Sequence, residues 1–316
     1  MKVFSTVFFS LLLVACAQGP ESSSELASQG LFSANFSSDG KHALIGSQLH
    51  GASYWSTSPL ERKYNWNHQQ GEYTQVTANA ISPDGSRAAT VHKNQWILWD
   101  TESGASLAFL QAPSEILSIA LNNNGTRALL GLENGDIWFT EPLSGNNLQE
   151  FKQAESVRSV AISNDETMAL TGSDDYSAVF WDLRSGDKLH TEKLKNMSRQ
   201  VAFSPSGNKA FISSLRNDHI IINTRDFSTL STIEERYTIF NGAAFSADEK
   251  QIYLANQQGY IQVFSTDSGN ELSRYKAERK KLFGAARSVV TLWADKTSLK
   301  ALTSDGQLQT FALSKN

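Results

Sequence analysis

A short pattern recurs along this chain at nearly constant spacing, and it limits the fold more than any other feature. Each copy has an apolar run, a tight polar turn and a second apolar run. The seven copies begin at Asn35, Ala80, Ala120, Ala161, Ala202, Ala244 and Leu292. Their turns centre on Asp39, Asp84, Asn124, Asp165, Ser206, Asp248 and Lys296, which are separated by 45, 40, 41, 41, 42 and 48 residues. This period is typical of β-propeller blades.

A second marker recurs at nearly the same interval as the first. A bulky, mostly aromatic position follows each turn: Trp55, Trp99, Phe139, Trp181, Asn223, Phe264 and Phe311. In four copies a Ser-Gly turn comes next, at 103–104, 144–145, 185–186 and 268–269. We expect the large rings of Trp55, Trp99, Trp138, Trp181 and Phe264 to lie on third strands and to fill the space between neighbouring sheets.

Each unit contains four short strand patterns separated by turns. In the unit that starts at Ser156, alternating and apolar runs are divided by Asp, Asn and Gly residues, which favour tight turns. Seven such units predict an all-β fold, a seven-bladed β-propeller of four-stranded antiparallel blades. The last unit ends after its third strand, so we expect Ser24–Gln29 to supply the missing outer strand and to cover an otherwise open sheet edge.

The first residues indicate export and lipidation. One Lys and a short apolar run precede the only cysteine, Cys16, and the run is too short to span a bilayer. The sequence 13–16 resembles a bacterial lipobox, in which the cysteine carries the lipid. We therefore expect a lipoprotein signal peptide over 1–15, a lipidated tether over 16–23 and a single propeller over 24–316. The residue after the cysteine is Ala17 and not Asp. For a Gram-negative host, the resemblance to lipoproteins then implies sorting to the outer membrane, with the protein on the periplasmic side.

The repeats resemble the WD-repeat family of β-propellers. The Trp-Asp pairs at 99–100 and 181–182 are the dipeptide that gives the family its name, and the sequence 171–175 matches its second hairpin. The resemblance covers about residues 31–313. The Gly-His pair that usually precedes the first strand is missing, and so is the full Asp-His-Ser-Trp hydrogen-bonded network of well-matched members. The resemblance implies a protein-interaction platform rather than an enzyme.

Motifs that carry chemistry are sparse. The net charge of −4 is unlike that of a general nucleic-acid binder, and no histidine pair has metal-ligand spacing. Asp174-Asp175 and Asp218-His219 fall in predicted turns, so we expect no catalytic, metal or cofactor site. Two alternatives stay open: a quinoprotein-like or other propeller enzyme, and a binder of sugars or small ligands in the central channel. We expect a monomeric propeller that binds protein partners and the membrane, but not nucleic acid.

Two groups of residues are candidates for binding. In the WD-repeat family the loops between second and third strands surround the channel entrance and often dock partners. Here they contain His50, Lys93, Glu133, Asn134, Asp174, Asp175, Tyr176, Arg216, Asn217 and Gln257. A possible basic patch, in the connection between the sixth and seventh units, contains Arg274, Lys276, Arg279, Lys280 and Lys281. We expect either contact with anionic lipid or an acidic partner there, or a solvated connection.

Overall fold

Seven four-stranded antiparallel sheets form the computed structural model of the chain, which describes residues 17–48, 50–68, 74–279 and 287–313. The predicted fold class is confirmed, including the number of blades and the number of strands in each. Within each blade the strands follow one another in space as they do along the chain, with one exception: the outer strand of the seventh blade comes from the N-terminal segment.

The strands are short, mostly of five to seven residues, and are numbered here in chain order. Blade 1 contains β2 Leu31–Phe36, β3 His42–Ser47, β4 Gly51–Thr57 and β5 Leu60–Trp66, and blade 2 contains β6 Ala78–Ile81, β7 Arg87–His92, β8 Gln95–Asp100 and β9 Ser106–Gln111. Blade 3 contains β10 Ile116–Leu121, β11 Ala128–Leu132, β12 Asp136–Glu141 and β13 Asn146–Lys152, and blade 4 contains β14 Val157–Ile162, β15 Met168–Ser173, β16 Ser177–Asp182 and β17 Lys188–Lys193. Blade 5 contains β18 Ser198–Phe203, β19 Lys209–Ser214, β20 His219–Asn223 and β21 Thr229–Ile233, and blade 6 contains β22 Phe240–Phe245, β23 Gln251–Asn256, β24 Tyr260–Ser265 and β25 Glu271–Lys276. Blade 7 contains β26 Val289–Ala294, β27 Ser298–Thr303, β28 Gln307–Ala312 and, as its outer strand, β1 Ser22–Glu25.

The hydrophobic core is divided into seven clusters, and each cluster joins two neighbouring blades. Between blades 1 and 2, for example, the rings of Trp66 and Trp99 stack at 4.9 Å, and between blades 3 and 4 Phe151 contacts Trp181 at 4.8 Å. The first strands of adjacent blades contact one another around the whole circuit, including β26 with β2. The aromatic third-strand residues therefore fill the spaces between the blades, as predicted, although Trp138 is only partly buried.

The N-terminal segment closes the seventh blade. Ser22 pairs with Thr310 and Glu25 with Gln307, in an antiparallel register along β28. The strand begins two residues before the predicted Ser24 and ends at Glu25 rather than Gln29. Gln18, which the sequence placed in the tether, already forms a parallel bridge with Tyr275 on the outer strand of blade 6. The folded body therefore starts six residues earlier than expected.

Turns between first and second strands repeat one hydrogen-bonding scheme. In blade 2 the carboxylate of Asp84 accepts hydrogen bonds from the Ser82 hydroxyl at 2.7 Å and from the Ser86 amide at 2.9 Å. In the seventh blade the equivalent acceptor is Asp295, whose carboxylate accepts a hydrogen bond from the Thr297 amide. The sequence placed the centre of this turn at Lys296, which is one residue too far along the chain. Asn223 is likewise shifted, because Ile222 occupies the core position opposite Ala210.

The same turns are tied to one another around the ring. The Asp84 amide donates to the Asn123 carbonyl at 3.0 Å, and the Asn123 side chain donates to the Asn164 carbonyl at 2.7 Å. Asn164 donates in turn to the Pro205 carbonyl. Further hydrogen bonds join Ser206 to Glu249, Trp293 to Ser38 and Ser38 to Pro83. Among the described residues, these turns therefore form a hydrogen-bonded collar at one end of the channel, which joins six of the seven pairs of neighbouring blades.

Blades 2 and 4 contain buried hydrogen-bonded networks that include the tryptophan of the third strand. In blade 4 the Trp181 indole donates to Thr171 at 2.9 Å, Thr171 donates to Gln153 at 2.6 Å, and Gln153 donates to Ser177 at 3.0 Å. In blade 2, Trp99 donates to Thr90, and the Thr90 hydroxyl contacts His68 at 3.0 Å. Gln153 in blade 4 thus occupies the place that a histidine has in blade 2, which is why the sequence pattern missed this network.

We expect Thr171→Val to lower the free energy of unfolding by about 2 to 4 kcal/mol, because it leaves the Trp181 indole and the Gln153 amide oxygen buried without this partner. Denaturant titration measures the change. Thr191→Val, on the outer strand of the same blade, is the matched control and should change stability by less than about 1 kcal/mol. Equal effects of the two substitutions would contradict a role for the network.

Candidate functional site

Loops of the propeller are divided between the two ends of the channel. Because consecutive strands are antiparallel, the loops between second and third strands lie at the same end as the connections between blades, opposite the collar. We call this end the mouth face. Of the ten predicted partner-binding residues, seven are exposed there and three are partly buried. The exposed ones are His50, Lys93, Glu133, Asn134, Tyr176, Arg216 and Gln257, and the partly buried ones are Asp174, Asp175 and Asn217.

Three of the loops between second and third strands contain a non-glycine residue with a left-handed backbone. Lys93, Tyr176 and Arg216 have φ values of 55°, 66° and 51°, whereas Gly135 and Gly259 fill loops of the same type in other blades. A left-handed conformation costs roughly 1 kcal/mol in a residue that has a Cβ. Backbone strain of this kind collects at functional sites when the side chain is needed there. The side chains of these three residues are therefore candidates for function.

Asp174 and Asp175 have structural partners. The Asp174 carboxylate accepts a hydrogen bond at 2.8 Å from Nε of Arg158, a residue of the first strand of the same blade. Asp175 accepts the Ser177 amide and hydroxyl within its own turn. These contacts agree with the turn interpretation of the pair, and they make Asp174 the residue that orients Arg158.

Arg158 is one of a set of residues that sequence reasoning missed. A β-bulge interrupts the first strand in six blades, just after its first residue. A bulge turns an additional side chain out of the regular alternation. Five of the bulged residues line one cavity of about 790 Å³ at the mouth of the channel: Phe32, Arg158, Arg199, Asn241 and Val290. The alternation of polar and apolar residues along the first strands did not predict this cavity. Its lining also includes Arg216 and Gln257, which the sequence analysis gave as candidates for partner binding.

Asp218 and His219 do not form an acid–base pair. Arg236 forms an ion pair with Asp218 at 2.9 Å, and its hydrogen bond lowers the pKa of that carboxyl. His219 is fully buried, with Ser213 at 3.0 Å from one ring nitrogen and the Glu235 carbonyl at 3.3 Å from the other. Burial lowers the pKa of His219 to about 4, so the ring is neutral near pH 7. Its contacts indicate a structural role.

The predicted basic patch is only partly within the described residues. Lys280 and Lys281 lie outside them, as does Cys16. Arg274 forms ion pairs with Glu271 at 2.6 Å and Glu235 at 3.9 Å, so its charge is largely compensated. Lys276 and Arg279 are exposed beside the N-terminal residues 17–19, and together they line a second cavity of about 490 Å³.

The described ranges contain neither a metal-binding cluster nor a membrane-spanning helix. Over residues 17–48, 50–68, 74–279 and 287–313, no group of three or more His, Cys, Asp or Glu side chains is placed to hold a metal ion. Within the same ranges no helix has the length and apolar character needed to cross a membrane.

The fold defines the class of the protein: it is a seven-bladed β-propeller. Residues 145–182, which contain the end of blade 3 and most of blade 4, match the family described as WD domain, G-beta repeat. The match includes the Trp-Asp pair at 181–182 and the polar network of blade 4. No curated protein matches the chain.

We expect the buried His219 to make stability fall in acid. An unfolded histidine takes up a proton below about pH 6.5, whereas the folded site resists protonation down to about pH 4, so the free energy of unfolding decreases as pH falls between these values. In His219→Gln the loss between pH 7 and pH 5 should be smaller by on the order of 2 kcal/mol. Denaturant titrations at the two pH values measure it, and an unchanged pH dependence would contradict the assignment.

Proposed function

We propose that this protein is a lipid-anchored, non-enzymatic platform for protein interactions, which faces the periplasm from the outer membrane and takes part in envelope assembly. The observation that carries the proposal is the contrast between the two ends of the ring. The turns at the collar end are hydrogen-bonded to neighbouring blades, whereas the loops of the mouth face present exposed side chains, among them Lys93, Tyr176 and Arg216.

A rigid ring suits such a platform. Its loops are held by seven cores that extend between blades, so little order has to be gained when a partner binds. The mouth face combines Tyr176, which is 48% exposed, with charged and amide side chains. Aromatic residues and arginine are enriched where proteins meet their partners.

The position of the N-terminal segment supports anchoring at the rim of the propeller. Two backbone hydrogen bonds join Gln18 to β25. Its amide donates to the Arg274 carbonyl at 3.1 Å, and its carbonyl accepts from the Lys276 amide at 2.8 Å. Two residues span only about 7 Å, so a lipid on Cys16 would hold the outer edge of blade 6 close to the membrane.

A second candidate function is small-ligand or sugar binding at the channel mouth. The cavity of about 790 Å³ is within the size range of ligand pockets and has several amide side chains in its lining. A propeller enzyme of the quinoprotein type is the other alternative, and a quinone absorbance spectrum of the purified protein would reveal it.

Photocrosslinking in cells tests the platform. We expect a crosslinking residue placed at Glu133 or Gln257 to yield a discrete product with another protein, and one placed at Lys250 or Lys296, at the collar end, to yield none. Replacing Lys93, Tyr176 and Arg216 together by Gly should reduce the product without destabilising the fold, because it relieves backbone strain. Undiminished crosslinking in this variant, or equal crosslinking at the two ends, would contradict the proposal.

Fractionation of the same cells tests the anchor separately. The wild-type protein should sediment with outer membranes, and Cys16→Ser should leave it soluble. If the wild type is soluble as well, the anchoring part of the proposal fails while the crosslinking result stands on its own.

A further inference from the structure

The channel mouth has an uneven distribution of charge. Arg158 and Arg199 occupy the same bulged position of the first strand in two adjacent blades, and Arg216 enters the same cavity from the loop between β19 and β20. No Asp or Glu lines this cavity among the described residues. Three guanidinium groups therefore lie in the lining of one cavity, in a chain with a net charge of −4.

Only one of the three arginines is compensated by an acidic residue. Arg158 is ion-paired with Asp174 at 2.8 Å. Within the described part of the chain Arg199 and Arg216 form no ion pair, and Arg199 is partly buried. A partly desolvated cation without a partner favours a bound anion, because the interaction is less screened there than at an open surface. Guanidinium groups bind carboxylates with two parallel hydrogen bonds.

The opposite side of the mouth, formed by blades 7 and 1, contributes apolar side chains together with Ser288 and Ser304. Phe32, from the equivalent bulge of blade 1, is 44% exposed, and Val290 of blade 7 lies beside it in the cavity lining. Phe32 is a large hydrophobic residue that the fold leaves open to solvent, although its neighbours Leu31 and Ser33 are buried. The lining of the cavity therefore contains both guanidinium groups and an exposed ring, together with the amides of Gln200, Asn241 and Gln257.

We infer that the channel mouth binds an acidic segment of a partner protein, with a carboxylate on Arg199 and Arg216 and an adjacent apolar side chain against Phe32 and Val290. This inference rests on the proposed function, since it names the chemistry of the partner that the mouth face takes. A protein segment fits better than a small anion because the cationic and apolar halves are contributed by different blades, and a chain with both kinds of side chain contacts both. Arg158, oriented by Asp174, marks the edge of the cationic side.

Selection from random peptides tests the inference without knowledge of the natural partner. The protein from Ala17 onward, which contains every blade, is used to select from a phage-displayed library of random dodecapeptides. We expect the selected peptides to be enriched in Asp or Glu next to aromatic or aliphatic residues. The affinity of the best synthetic peptide should fall tenfold or more in Arg199→Glu/Arg216→Glu, and also when its acidic residues are replaced by Asn or Gln.

Matched variants separate this site from general electrostatics. Lys250→Glu/Lys296→Glu makes the same change of charge at the collar end and should alter the affinity less than twofold. Phe32→Ala should weaken binding of the peptide without changing its acidic preference. Denaturant titration of each variant shows that the fold is intact, since the altered side chains are exposed or partly exposed.

Several outcomes would overturn the inference. They are a selected pool with no acidic enrichment, an arginine variant that selects the same peptides as the wild type, and no selectable peptides at all. Displacement of the peptide by citrate at equal concentration would assign the site to small carboxylates instead. Each of these results leaves the crosslinking test of the platform unaffected, so the two proposals can fail separately.

Discussion

The structure depends on apolar packing between neighbouring blades. A four-stranded sheet of this size has two faces to bury and little core of its own, and here every hydrophobic cluster is shared by two blades. No blade can therefore be complete unless the ring closes, and closure needs a partner for both faces of the seventh blade. The N-terminal strand completes that blade, and Leu26, just after it, is buried with Leu31 and Leu308 in the cluster between blades 7 and 1.

Charged and polar groups have different partners at the two ends of the ring. At the collar end the carboxylates serve the backbone of their own turns. Burial opposes ionisation of Asp84, but hydrogen bonds from Ser86 and Ser82 outweigh it and lower its pKa; in Asp248 the hydrogen bond from Ser246 is the main cause of the same shift. The carboxylates of these turns therefore have hydrogen-bond partners within the protein. On the mouth face Arg158 is paired with Asp174, whereas Arg199 and Arg216 form no ion pair within the described residues.

Much of the fold could be predicted from the sequence because the repeat is dense and the blade is a local structure. The turn residues and third-strand aromatics occur at nearly constant intervals, and these intervals predicted the number of blades. The role of the N-terminal strand followed because the last unit ends after its third strand. Errors of one residue arose where one marker is weak, at Asn223 and Lys296. The pairing of Gln18 with blade 6 has no pattern of its own, since a backbone bridge makes few demands on the side chain.

The candidate site was predicted only in part. The loops of the mouth face follow directly from the strand order, so Lys93, Tyr176 and Arg216 could be named in advance. Arg158 and Arg199 could not, because strict alternation assigns a polar residue in a first strand to the regular pleat, and a bulge is invisible in that pattern. The network of blade 4 was missed for a related reason: Gln153 makes the hydrogen bonds that a histidine was expected to make.

Native-state hydrogen exchange tests the dependence on ring closure most directly. If every blade needs both neighbours, amides of the paired strands β27 and β28 should exchange with the same free energy as those of β15 and β16, which is the free energy of global unfolding. Exchange of blade 7 at a much lower free energy, while blades 3 to 5 stay protected, would show that the ring opens at its seam without unfolding and would contradict the account.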